Sequence, residues 1–323
     1  MNLVLWLLLG LVALVAGAEL VVRQGSALAA RFGVSPLVVG MTVVSLGTSL
    51  PELAIGLNAA QQGNAGLAVG AIVGTNLVNI LLILGLSAVI RPIAFEARTL
   101  RVDAPVMTGA ALLLLVLAID GDLTTGDALW LCAYGVAYVG VIVVLARRDS
   151  RRPAPPDPGS GPAEVAAGGT RPVALQVLLL VVGLAVIVVG AEYLVDGAAG
   201  IAGQLGASDA LIGLTVVAIG TSAPELVTTL VSTMRGDRSL ALGNLLGSSV
   251  FNIALILGPT VLVAPAAVPV PDDILAVDLI LMVATAVVCI PVFRTRRRLG
   301  RVEGAVFVAV YVAYLTWLLT TRL

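Results

Sequence analysis

The 323-residue chain contains no histidine and no lysine; all 18 of its basic residues are arginine. That excludes histidine acid–base catalysis, histidine metal ligation and lysine Schiff-base chemistry. The two cysteines, Cys132 and Cys289, both lie inside apolar runs. They supply neither a disulfide framework nor a zinc spacing and read as small buried hydrophobes. Charge is scarce at 11%, against about 25% in soluble domains. A net charge of -1 leaves no electrostatic footprint for nucleic acid. What fills the chain instead is apolar: 59% hydrophobic residues and a mean hydropathy of +1.09. This composition excludes disorder and a soluble globular domain. It describes a membrane bundle, in which each spanning helix needs about 20 apolar residues.

Hydropathy predicts ten spanning helices, near 3–22, 35–61, 67–90, 103–119, 128–146, 173–195, 209–234, 240–263, 273–293 and 302–320. The opening MNLVLWLLLG has no basic flank, so it reads as the first span and not as a cleaved leader. Arginine placement sets the expected topology. Arg23, Arg31, Arg91, Arg98, Arg101, the 147–171 cluster, Arg235, Arg238 and the 294–301 cluster all fall in alternate connections, leaving only Arg322 for the other side. That other side collects Asp120, Asp122, Asp127, Asp209, Asp272 and Asp273. The arginine loops are therefore expected in the cytoplasm of a cell that holds the protein in its inner membrane, with both termini outside. Residues 147–172, rich in Pro, Gly and charge, read as a cytoplasmic linker too short to fold as a regulatory domain.

The two sides of that linker repeat each other. Residues 40–85 and 213–258 align without a gap at an offset of 173, with 22 of 46 positions identical. Upstream, Gly17-Ala18-Glu19 answers Gly190-Ala191-Glu192. An odd number of helices per copy places the copies in opposite orientations, the inverted-repeat plan of secondary transporters, whose sites lie near the midplane. The expected fold is therefore an all-α membrane protein of ten transmembrane helices in two inverted five-helix repeats. Residues 1–146 form the first, 147–172 the linker and 173–323 the second.

Two carboxylates, Glu52 and Glu225, sit inside the second and seventh spans, each preceded by Gly-Thr-Ser-X-Pro. An ionisable residue at membrane depth costs several kcal/mol, so it points to function. Pro51 and Pro224 cannot donate to the carbonyls of Gly47 and Gly220, and such irregular backbone is tolerated only where it lines a cavity. Thr48, Ser49, Thr221 and Ser222 add hydroxyls; a simple proline kink closed by hydroxyls is the competing reading of this motif. In the third and eighth spans, Thr75 and Asn79, matched by Ser248 and Asn252, share one helix face at a spacing of four. The two asparagines also suit interhelical hydrogen bonding. Gly70, Gly74, Gly243 and Gly247 form small-xxx-small pairs expected to bring helices close. Together the donors are all hard oxygens, as calcium prefers, and two carboxylates match a divalent charge; soft-metal ligands are missing. A membrane enzyme using two buried glutamates would need a substrate-sized opening that nothing in the chain suggests, and a passive cation channel is a further alternative.

Carried by these motifs across the whole chain, the sequence resembles the prokaryotic type of sodium/calcium exchanger, within the cation/calcium exchanger superfamily. Gly47-Thr48-Ser49-Leu50-Pro51-Glu52 and Gly74-Thr75-Asn76-Leu77-Val78-Asn79, with their copies 220–225 and 247–252, match that family's alpha repeats. The resemblance implies sodium/calcium antiport by alternating access, with no catalytic residue, no cofactor, and sodium and calcium as transported ions. By position, it implies that Glu52 and Glu225 hold calcium and share sodium sites. Thr48, Thr221, the carbonyls of Ser45 and Ala218, Thr75 and Ser248 would complete the sodium sites. The first and sixth helices would slide over this core. Two positions depart from the pattern: Thr75 stands where serine is commoner, and Asn252 where several prokaryotic members have aspartate. The second weighs against a potassium-dependent exchanger and bears on proton coupling; proton-driven cation exchange is the rival reading. The Gly-Ala-Glu that the first and sixth helices share, with Glu19 and Glu192, is open to two readings: part of that sliding motion or, for Glu19 near a membrane face, a simple pair with Arg23 one turn on.

Overall fold

Runs of leucine, valine and alanine in lipid must satisfy every backbone N–H and C=O within the segment, which leaves the α-helix as their form. The computed structural model describes residues 3–61, 65–149, 172–204 and 218–321. It is an all-helical membrane protein. Among the described residues, eight helices are long and apolar enough to cross a bilayer, or nine counting one bent pair. In chain order these are α1 (Leu3–Phe32), the pair α2 (Pro36–Thr48) and α3 (Leu50–Gln61) bent by 43°, α4 (Gly66–Ile90) and α5 (Thr99–Leu117). Then come α6 (Thr125–Asp149) and α7 (Val173–Gln204). The short α8 (Ala218–Thr221) precedes α9 (Ala223–Arg235). The last three are α10 (Arg238–Val263), α11 (Ile274–Arg294) and α12 (Arg301–Thr321). The start of the expected seventh span, 209–217, and most of the expected linker lie outside the described residues.

Two helices overrun their predicted ends. α1 has 30 residues and α7 has 32, about 45–48 Å at 1.5 Å per residue, where about 20 residues were expected of each. Hydropathy falls where Arg23, Gln24 and Arg31 enter α1, but nothing there breaks a helix. The turn comes only at Gly33, whose φ of 64° suits glycine. Hydropathy marks the hydrocarbon boundary, and the helix continues past it.

α4 and α10 form the centre: 72% and 78% of their apolar windows are buried, against 22–28% for α1, α6, α7 and α12. The outer helices present Val12, Ile119, Trp130 and Val136 outward, which suits contact with lipid. α1 and α7 lie along each other for most of their length. Their crossing uses glycines in an exchanged pattern. A Cβ on Gly10 would stand 2.7 Å from the Gly190 carbonyl oxygen, and one on Gly183 3.1 Å from that of Gly17. The offset of 173 turns one pair into the other.

Four two-residue strands, which hydropathy does not predict, tie the connections together. β1 (Ile93–Ala94) pairs antiparallel with β4 (Arg298–Leu299), and β2 (Asp122–Leu123) with β3 (Val268–Pro269). The first pair joins two arginine-bearing connections, the second two aspartate-bearing ones. Arg238 donates to the Pro92 carbonyl at 3.1 Å, and Arg235 pairs with Glu19 of α1. The arginine connections therefore gather at one end of the molecule. Glu19 meets Arg235, not Arg23, because α9 packs along α1 and places a cation beside it.

Candidate ion-binding site

Each buried glutamate follows a break in its helix. Ser49 (φ −90°, ψ 9°) separates α2 from α3, and Ser222 (φ −85°, ψ 2°) separates α8 from α9. Pro51 and Pro224 follow as the second residues of α3 and α9, where a missing N–H costs nothing. The breaks lie at the sequence-predicted motifs, and they turn the first turns of α3 and α9 toward the interior. Glu52 is 4% exposed and Glu225 fully buried, and Ser49, three residues before Glu52, reaches the Glu225 carboxylate.

The twelve residues singled out from the sequence divide by partner. Ser49 donates to Glu225 Oε1 at 3.0 Å, with the Ser248 hydroxyl 3.3 Å from it; Ser248 itself lies 3.5 Å from the same carboxylate oxygen. One carboxylate thus gathers a hydroxyl from α10 and one from the α2–α3 break. Around Glu52 the equivalent bonds are missing. Both of its oxygens and the Ser222 hydroxyl have no hydrogen-bond partner among the described residues. Thr48 donates to the Ser45 carbonyl and to Asn244 Oδ1, each at 3.3 Å. The Ser45 carbonyl also receives the Ser49 amide at 3.0 Å, so it is already engaged in this conformation. The Ser45 hydroxyl lies between the Gly40 and Asn244 carbonyls, 2.7 and 2.8 Å away, and can donate to either. Thr75 is buried on α4. Thr221 and the backbone of Ala218 belong to α8.

Asn79 and Asn252 lie in matched π-helical stretches, Val78–Leu84 and Asn252–Leu257. Such stretches are rare and favour functional sites because they displace side chains from regular helix register. Both side-chain amides are fully buried, and neither has a hydrogen-bond partner among the described residues. Among the described residues, the interhelical bond that would make them packing groups is not formed. Buried amides left unpaired are costly, so a polar or ionic occupant is the natural complement.

The glycines answer differently. A Cβ on Gly40 would lie 2.5 Å from the Leu240 carbonyl oxygen, and one on Gly247 2.8 Å from Met41, so α2 and α10 cross in backbone contact. Among the described residues, Gly70 faces the Ile274 side chain and Gly74 has no neighbour within 4 Å. Close packing holds for the second pair; among the described residues the first pair shows a close neighbour at Gly70.

Sequence reasoning missed Asn244. Its Oδ1 receives Thr48 and its Nδ2 donates to Thr229 at 3.3 Å, which ties the α2 break to α9. A signal was present: the repeat places Ala71 at the equivalent position, so Asn244 is a polar residue that the fold does not require. Among the described residues, no three carboxylate, cysteine or histidine side chains cluster as a metal site. The centre offers two carboxylates with neutral oxygens around them, a set suited to binding hard cations.

Comparison with known proteins identifies the family of the chain. The chain is 34% identical to the sodium/calcium exchanger MaX1 of Methanosarcina acetivorans over 96% of both chains. It is 38% identical to the inner membrane protein YrbG of Escherichia coli over 80% of this chain and 79% of that one. A solved structure of the sodium-calcium exchanger NCX_Mj, soaked with sodium and calcium, superposes with a TM-score of 0.83 at 31% identity, covering 98% of each chain. The sodium/calcium exchanger protein family matches residues 2–144 and 175–320, and this chain belongs to that family.

Proposed function

We propose that the protein is a secondary antiporter that exchanges sodium for calcium by alternating access and normally expels calcium. The observation that carries this is the pair Glu52 and Glu225, both buried behind helix breaks, with Ser49 of the first break bonded to Glu225 and oxygen donors left without described partners around them. Two carboxylates neutralise one divalent ion or share several monovalent ones. That is the arithmetic of exchange at a common site. Glu52, Glu225, Asn79 and Asn252 are the core ligands in this reading. Thr48, Ser49, Thr221, Ser222, Thr75, Ser248 and the carbonyls of Ser45 and Ala218 provide the surrounding oxygens. Using the Ser45 carbonyl requires Thr48 to release it. The names of MaX1 and NCX_Mj support the same ion pair.

The architecture we propose is ten spans in two inverted five-helix repeats, 1–146 and 173–323. It is supported by the exchanged glycine pairs of α1 and α7 and by the exchanged strand pairs β1–β4 and β2–β3. With the arginine connections in the cytoplasm, both termini lie outside. The inner membrane is the proposed location, in keeping with YrbG.

The burial of both carboxylates, with the Glu52 oxygens left without a described partner, favours one second reading, proton-driven calcium exchange, since a proton neutralises a buried carboxylate as a cation does. Proteoliposomes separate the two. Calcium uptake driven by a sodium gradient at clamped pH is the expected result. Uptake driven only by a pH gradient would replace sodium with protons as the coupling ion.

A further inference from the structure

Beyond Glu225, α9 continues as a face of hydroxyls. At 100° per residue, Thr228, Thr229, Ser232 and Thr233 fall on the same side as Glu225. All four are fully buried, and the row runs about 12 Å toward the arginine-rich end. Buried hydroxyls in helices commonly bond to the carbonyl four residues back, as Thr42, Thr108, Ser249 and Thr260 do here. Ser232 follows that rule, and Thr229 receives Asn244. The hydroxyls of Thr228 and Thr233, however, have no partner among the described residues, nor does that of buried Ser87 on the segment of α4 packed against α9.

The fold does not require these groups. In the first repeat the equivalent positions are Ile55, Gly56, Ala59 and Ala60, and α3 forms without a hydroxyl there. Nor are the two faces covered alike. α1 packs along α9, whereas α7 makes no comparable contact with α3. Thr228 is fully buried, while its counterpart Ile55 is 42% exposed. At the arginine-rich end, Glu19 and Ser26 of α1 hold Arg235 and Asp237. This conformation therefore shuts the hydroxyl face under α1.

We propose that the hydroxyl face of α9, from Glu225 to Thr233, lines the ion passage between the site and the arginine-rich side. It takes a partly dehydrated hard cation, calcium or sodium, from oxygen to oxygen when α1 moves away. The unpaired hydroxyls are groups waiting for water or an ion, and burying them makes the shut state easier to open. The two routes to the site then differ in chemistry: hydroxyls on one side, Gly, Ala and Ile on the other. This rests on the antiport reading given above.

The test is cysteine accessibility in a Cys132→Ala/Cys289→Ala background, with Thr228→Cys or Thr233→Cys, in right-side-out and inverted membrane vesicles. Arg101→Cys and Asp120→Cys, both exposed, mark the two faces. A membrane-impermeant cationic thiol reagent should label positions 228 and 233 from the Arg101 side, faster during sodium/calcium exchange. Labelling from the Asp120 side only, or no labelling during turnover, overturns the proposal. If the cysteine variants do not fold, Thr228→Val/Thr233→Val serves instead. Exchange should slow at least fivefold, with unchanged half-saturation for calcium presented on the Asp120 side. An unchanged rate overturns the passage. Failure of the parent protein to exchange calcium for sodium would instead refute the antiport reading, and the passage with it.

Discussion

Replacing Glu52 with glutamine removes one negative charge and almost no volume, so its effect depends on the charge of the transported ion. For an ion about 2.4 Å from a carboxylate oxygen at an effective dielectric of about 20, the attraction is of order 14 kcal/mol for a divalent cation and 7 kcal/mol for a monovalent one. Stripping water from the carboxylate offsets most of this. Glu52 is 4% exposed, and no described group donates to it, so protein hydrogen bonds offset none of the loss. If about a quarter survives, calcium binding falls by roughly 3.5 kcal/mol, several hundredfold, and sodium binding by about half that energy, roughly twentyfold. Calorimetric titration of detergent-solubilised protein with each ion reads both numbers, and sodium-driven calcium uptake in proteoliposomes should fall to background. Calcium binding within tenfold of the parent would refute the reasoning, as would equal losses for the two ions.

Other substitutions probe the supports of the site. Ser49→Ala removes the 3.0 Å bond to Glu225, so it should lower both the ion-free melting temperature and calcium affinity, the latter by about tenfold. Ser222→Ala removes a hydroxyl with no described partner and should weaken calcium binding while leaving ion-free melting unchanged; calorimetry and thermal melting distinguish the two. Gly40→Ala puts a methyl 2.5 Å from the Leu240 carbonyl, where backbone cannot give way. It should cost about 1–3 kcal/mol, read as a lowered melting temperature. The Glu19–Arg235 pair is 37–39% exposed. A double-mutant cycle with glutamine at both positions should give a coupling below about 1 kcal/mol, falling further in high salt.

The sequence carried much of the site because its signals are local. Gly-Thr-Ser-X-Pro-Glu encodes a helix break with a carboxylate just beyond it, since proline acts on the turn that precedes it. Both breaks fall at that motif, on Ser49 and Ser222. Asn244 escaped notice because its role comes from a crossing of α2 and α10 that no local pattern encodes. The π-helical register at Asn79 and Asn252 was invisible for the same reason, as were the four short strands.

By itself the sequence determined the solvent and the chemistry. Apolar content requires a membrane, the arginines mark one side, the repeat implies two related halves, and the buried glutamates point to hard cations in the reading we propose. Only the tertiary structure decided how the two halves differ. Among the described residues, hydroxyls from α10 and the α2–α3 break converge on Glu225 and none on Glu52, and α1 packs along α9 while α7 makes no comparable contact with α3. The physical reason is that near-identical motifs carry the same local preferences. Which half is closed depends on long-range packing of α1 and α7, whose glycine crossing is written in neither motif.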